Sequence, residues 1–112
     1  MEVRAVAKNT GISAYKMRLL VDMVRGRPVD EALTILRFTP TPNARVIAKV
    51  VKSAAANAEN NFQMTPSDLK IVNIFADEAQ TLKRHRPRAR GRANIIRKHS
   101  SHITVIVAGE ED

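Results

Sequence analysis

Sixteen consecutive residues, Lys83 to Lys98, carry eight cations (Lys83, Arg84, Arg86, Arg88, Arg90, Arg92, Arg97, Lys98) and no acid, and no other feature of the chain limits its fold so tightly. A run of like charge repels itself, resists burial and is relieved by polyanions. The rest of the chain holds eleven Lys and Arg against eleven Asp and Glu, so the whole net charge of +8 lies in this block. Its natural partner is nucleic acid or an anionic membrane; the plain alternative is a solvated basic tail.

The flanks argue against a tail. Upstream, KIVNIF at 70–75 is rich in β-branched residues. Downstream, HITVIV at 102–107 alternates Ile103, Val105 and Val107 with Thr104 and Ile106. Two strands joined through the basic block make an antiparallel ribbon, and VRAVA at 3–7 supplies a third strand. With a turn near Pro87 to Gly91, each arm runs about 50 Å at roughly 3.3 Å per residue. A compact chain of this size has a radius of gyration of only about 13 Å, so the hairpin must project. Arg84, Arg86, Arg88, Arg90 and Arg92 recur at a period of two, which in an extended chain places all five on one side. A narrow arm of this kind suits a groove lined by phosphates, which each guanidinium fork can hold bidentately. Asp77 and Glu78, being adjacent, face opposite sides of a strand and are read as charge partners for arginines of the facing arm.

Three helical stretches lie between Ser13 and about Asn60. Ser13 is a suitable N-cap, Met17, Leu20, Val21 and Val24 form an apolar stripe, and Gly26 closes the helix. Lys16, Arg18 and Arg25 lie off that stripe. Pro28 announces a second helix with Asp30 and Glu31 in its first turn and Ala32, Leu33 and Leu36 buried; the prolines of TPTP at 39–42 end it. The third runs from about Pro42 to Asn60, with Ala44, Ile47, Ala48, Val51, Ala55 and Ala58 inward and Arg45, Lys49 and Lys52 as an outward basic row. Its SAAANA segment admits another backbone at close range, and Asn57, Asn60 and Asn61 suit either capping, the preferred role, or contact with a polar ligand. The expected fold is α+β: a small three-stranded antiparallel sheet packed with three helices, and a long protruding basic β-hairpin. Residues 1–112 form a single domain, with 83–98 the extended end of the hairpin.

Little here supports catalysis. No phosphate-binding glycine loop, HExxH pair or GxSxG elbow occurs. No cysteine is present, which excludes disulfides and thiolate chemistry. His99 and His102, three apart and without a nearby acid cluster, do not make a metal site; phosphate contact or strand-end packing accounts for them. No cofactor is implied, and no segment is apolar for long enough to serve as a signal or membrane span. Aromatics are few, and none falls in the basic block, so recognition by backbone and shape fits better than base stacking.

RHRPRARGRA, with nine residues between Arg92 and the alternating tail HITVIV, closely resembles the signature of the large-subunit ribosomal protein family numbered twenty-two. SAYKMRLLVDMVRG, VDEALTIL and SAAANAENN resemble that family's three helical segments in the same order, and only the acidic ending GEED departs from its pattern. The resemblance implies a cytoplasmic, ribosome-bound structural protein whose hairpin threads into large-subunit ribosomal RNA. It further implies a hairpin tip, Pro87, Arg88, Ala89, Arg90, Gly91, Arg92 and Ala93, that helps line the nascent-peptide exit tunnel near the macrolide site. The shaft cations are then Lys83, Arg84, Arg97 and Lys98, flanked by His99, and Ser13, Lys16, Arg18 and Arg25 become RNA contacts of the body. Implied partners are ribosomal RNA, neighbouring large-subunit proteins and the nascent peptide, with no membrane and no obligate homo-oligomer.

The competing reading is an architectural DNA-binding protein whose β-arms clasp a duplex and wedge Pro87 between base steps. A membrane-surface peptide fails because only Ile95 and Ile96 are large and apolar within the block. Charge repulsion and the scarcity of apolar side chains predict a tip that orders only against its RNA.

Overall fold

The computed structural model describes residues 2–80, 82–87 and 93–109. Its elements are β1 (Glu2–Ala7), α1 (Ala14–Val24), α2 (Val29–Phe38), α3 (Pro42–Phe62), a 3-10 turn (Pro66–Asp68), β2 (Leu69–Glu78), β3 (Leu82–Pro87), β4 (Ala93–Lys98) and β5 (Ser101–Gly109). The class is α+β as expected: three helices pack on an antiparallel sheet of order β1-β5-β2, and a second antiparallel pair, β3 with β4, extends from it. The molecule measures 65 × 26 × 18 Å with a radius of gyration of 17.2 Å, well above the roughly 13 Å of a compact chain of similar length.

The helices start and stop where their side chains dictate. Ser13 Oγ accepts the Lys16 amide at 3.4 Å, and Gly26 takes φ +79° just past α1, a conformation that costs glycine nothing. Pro28 is the N-cap of α2, with the Ala32 amide donating to its carbonyl at 2.9 Å. Thr41 caps α3 by accepting the Asn43 amide, and Pro42 fills its first position. At the other end of α3 the structure departs from expectation. Gln63, at φ 52°, turns the chain, and the Met64 amide donates to the Ala58 carbonyl at 3.0 Å, a left-handed closure that leaves no capping role for the asparagines. Asn61 instead donates to Asn57 along the exposed side of the helix.

The core is a set of cross-strand rows. On β5, Ile103, Val105 and Val107 are fully buried. They stand between Ala7, Ala5 and Val3 of β1 and Ala76, Ile74 and Ile71 of β2. α1 lies over β2, and α3 over β1 and β5. Small side chains make the close approach possible: Ala44, Ala54 and Ala58 of α3 are buried beside Ile47, Val50 and Val51. Met17, Leu20, Val21 and Val24 of α1 are buried as their spacing predicts. Leu33 is only half-buried, packed at the margin of the core, since Val29, Ala32 and Leu36 take the inward side of α2.

Strict alternation cannot bury both Ile71 and Ile74, which are three residues apart. A bulge resolves the conflict: the β2–β5 register shifts between Ile71 and Asn73, Val72 is left exposed, and Asn73 Oδ1 accepts the Ile74 amide at 2.9 Å. The extra residue returns Ile74 to the buried side.

The ribbon is two ladders rather than the single continuous arm the sequence suggests. β2 and β5 pair as far as Glu78 with Ser101. Pairing resumes at Leu82 with Lys98 and runs to Pro87 with Ala93, and between the two ladders the Ala79 amide donates to the Ser100 carbonyl at 3.0 Å. The pairing includes Pro87, the first residue of the expected turn. Residues 88–92, on which the expectation of a tip ordered by RNA falls, lie outside the described residues.

The buried rows are built from β1, β5 and β2, and stability and reach are expected to be separable. Replacing residues 82–98 by a short turn should leave the thermal midpoint within a few degrees of the parent. Leu20→Ala, at a site 7% exposed, should cost about 2–5 kcal/mol and lower the midpoint by roughly 10 °C or more. Calorimetry on both variants checks this, and collapse of the shortened chain alone would make the ribbon part of the core.

Candidate nucleic-acid interface

The basic residues occupy two regions. In the ribbon, the register sets Lys83 opposite Arg97, Arg84 opposite Ile96, His85 opposite Ile95 and Arg86 opposite Asn94. Like charges directly opposite one another destabilise an antiparallel ladder, and no acid is available in the block to interleave them. Asp77 and Glu78, expected from the sequence as charge partners for arginines of the facing arm, lie at the end of β2, and the side chains of the basic segment lie outside the described residues. Across the β2–β5 ladder the two acids stand opposite His102 and Ser101, and β2 ends five residues before the first cation of β3. Arg88, Ala89, Arg90, Gly91 and Arg92 lie outside the described residues.

The base of the ribbon is clamped by a loop that the sequence did not single out. Between β1 and α1, the Thr10 amide donates to the Ser101 carbonyl at 3.0 Å, and the Thr10 and Ser101 hydroxyls are 2.8 Å apart. The Gly11 amide donates to Ser100 Oγ at 2.9 Å. Asn9, at φ 54°, directs its amide to Nδ1 of His102 at 3.0 Å, so the neutral ring carries its proton on Nε2. His102 is therefore strand-end packing, whereas His99 is exposed. Ser101 is fully buried, which fixes where β5 enters the body. The available sequence signal was the polar pair Ser100–Ser101 directly before an apolar strand, facing a loop of NTG.

On α1, the residues expected to contact RNA divide into two kinds. Lys16 is exposed and has no intramolecular partner among the described hydrogen bonds. Ser13 is committed to its cap. Arg18 Nε donates to the Ala76 carbonyl at 3.3 Å. Arg25 donates to the Ile74 carbonyl at 2.8 Å and to Asp22 at 2.6 Å. Both guanidiniums thus satisfy outer-edge carbonyls of β2, an edge strand that would otherwise present open acceptors. The Gly26 amide donates to the Ile71 carbonyl at 3.1 Å, and the Ile71 amide to the Arg27 carbonyl at 2.9 Å, along the same edge. Among the described hydrogen bonds, Arg18 uses one and Arg25 two of the five N–H groups each guanidinium carries.

Among the described residues no helix is long and apolar enough to cross a membrane, and no three metal-ligating side chains gather.

Comparison with known families matches residues 5–108 to the ribosomal protein L22p/L17e family. The chain belongs to this family. It is 67% identical over 108 residues to the large ribosomal subunit protein uL22 of a Dehalococcoides mccartyi strain, covering 96% of this chain and 99% of that protein. To the proteins of the same name from a Thermoanaerobacter species and from Chloroflexus aggregans it is 53% identical, over 111 and 112 residues, with 99% or more of each chain covered. The resemblance read from RHRPRARGRA and the three helical phrases is thereby established over nearly the whole chain. The protein is a structural, non-enzymatic constituent of the large ribosomal subunit, placed on the cytoplasmic ribosome, and the DNA-clasping alternative falls away.

The α1 cations can be separated by experiment. Arg25→Ala removes a bond to a strand carbonyl worth about 1 kcal/mol, so the thermal midpoint should fall by a few degrees. Lys16→Ala should leave it unchanged. Equal midpoints for the two variants would show that Arg25 does not hold the β2 edge.

Proposed function

We propose that the protein binds large-subunit ribosomal RNA through its basic ribbon and that the ribbon's tip helps line the nascent-peptide exit tunnel. The observation that carries this reading is the coincidence of charge and reach. All of the chain's net positive charge lies in residues 83–98, and that segment forms the antiparallel extension of a molecule 65 Å long. A ribbon with Lys83 opposite Arg97 gains most from a partner that places negative charge between its arms, and a folded RNA backbone does so on all sides.

In this reading Lys83, Arg84, Arg86, Arg97 and Lys98, with His99 beside them, grip phosphates along the shaft. Arg88, Arg90 and Arg92 do so nearer the turn, where Pro87, Ala89, Gly91 and Ala93 keep the profile narrow. Lys16, with the spare donors of Arg18 and Arg25 and the adjacent Ser13, adds a contact from the body. The nascent peptide is the partner of the tip and neighbouring large-subunit proteins are partners of the body, which acts as a single domain without obligate self-association.

Two measurements test the reading. Changing Arg84, Arg86, Arg88, Arg90 and Arg92 to Ala should weaken binding to ribosomal RNA and reduce the log–log salt slope by about 4, at roughly 0.7–0.9 for each phosphate no longer neutralised. An unchanged slope sinks the RNA-gripping role. Because the chain has no cysteine, Arg90→Cys gives a unique attachment point for a photo-crosslinker. In assembled ribosomes it should link to a stalled nascent chain, and failure to do so removes the tip from the tunnel.

A further inference from the structure

A second concentration of positive charge lies away from the ribbon. α2 and α3 pack against each other and leave between them an open groove of about 950 Å³ whose lining includes Arg37, Arg45, Lys49 and Lys52 and no acidic residue. The ion pairs among the described residues, Arg25 with Asp22 and Arg27 with Glu31, involve none of these four. On α3, Arg45, Lys49 and Lys52 stand at i, i+4 and i+7, about 6 and 4.5 Å apart along the axis. That spacing makes a rigid row on the scale of successive phosphates in a nucleic-acid strand. The N-terminal end of α3, with Thr41 and Pro42, also lines the groove, and its dipole adds to the positive potential.

One feature distinguishes an RNA strand from an acidic protein segment as the occupant. Phe38, the last residue of α2, is 75% exposed, and the Arg37 guanidinium lies over its ring at 5.8 Å. An exposed aromatic beside a cationic track is the arrangement on which an unpaired base stacks, and an arginine over the ring extends the platform. An acidic peptide has no use for it.

We propose that the α2–α3 groove is a second RNA site, in which Arg37, Arg45, Lys49 and Lys52 hold the backbone of a single strand and Phe38 stacks a flanking base. The proposal takes its partner, ribosomal RNA, from the reading above, and it is independent of what the ribbon does. The groove is held by packing between two helices of the body, so it is formed before RNA arrives.

The test uses the full-length protein and bacterial large-subunit ribosomal RNA transcribed in vitro. The triple variant Arg45→Gln, Lys49→Gln, Lys52→Gln should keep the parental melting midpoint, since all three residues are exposed and Gln is a comparable helix former. Its log–log salt slope should fall by about 2, at roughly 0.7 per single-strand phosphate. Phe38→Ala should weaken binding about fivefold or more with the salt slope unaltered. In the chain with all five ribbon arginines changed to Ala, the triple change should produce the same further loss, which separates failure of the groove from failure of the ribbon. As a check that needs no variant, acylation of Lys49 and Lys52 should be suppressed by the RNA relative to Lys70, at the far end of β2. Unchanged slope and unprotected lysines overturn the proposal. Loss of subunit incorporation without any change in RNA binding also overturns it, and assigns the groove to a protein neighbour.

Discussion

Everything in this molecule depends on the burial of one strand between two others. β5 is hydrogen-bonded on both edges and supplies Ile103, Val105 and Val107 to the centre of each cross-strand row. It is also the strand that receives the returning arm of the ribbon. A lever with eight like charges needs a fixed end, and an isolated two-stranded hairpin is marginal in water. The apolar rows of β5 supply that anchorage, and the Thr10–Ser101 and Gly11–Ser100 bonds keep the exit point in place. Repulsion within the ribbon therefore acts on a segment whose root is held by the core.

Register is the means by which the core controls the lever. A one-residue slip in a sheet exchanges its faces, and β2 uses such a slip once, at Val72, so that Ile71 and Ile74 both reach the interior. A second offset, between the end of β2 and the start of β3, separates the two ladders. Between them they determine which positions of the basic segment stand opposite one another. The edge of β2 is sealed by Arg18, Arg25 and the backbone around Gly26, which leaves the long strand unavailable for pairing with another chain. Arginines that look from the sequence like surplus RNA-binding charge thus act first as a seam between α1 and the sheet.

Much of this could be read from the residues. The stripe Met17, Leu20, Val21 and Val24, the proline break at 39–42 and the alternation of Ile103, Val105 and Val107 each name an element by its own period, and each element is present. Failures arose where the deciding interaction is non-local. Asn57, Asn60 and Asn61 have the chemistry of caps, but the left-handed turn at Gln63 and the packing of Met64 on the core decide how α3 ends. Arg45, Lys49 and Lys52 were visible as a basic row. Their convergence with Arg37 was not, because it depends on how two helices pack, and the sequence of either helix alone contains no such information.

The division of charge follows from these constraints. Outside the ribbon the chain has as many acids as bases, and two of those bases are neutralised at short range by Asp22 and Glu31. A neutral body does not oppose its own collapse, so it can fold before it meets RNA, with the electrostatic cost concentrated in the ribbon. An even spread of the same eight charges would have loaded the helix faces that pack on β1, β2 and β5. Concentrating them on a narrow antiparallel extension separates the requirement to fold from the requirement to bind, and any change that shifts charge from the ribbon to the body should weaken both at once.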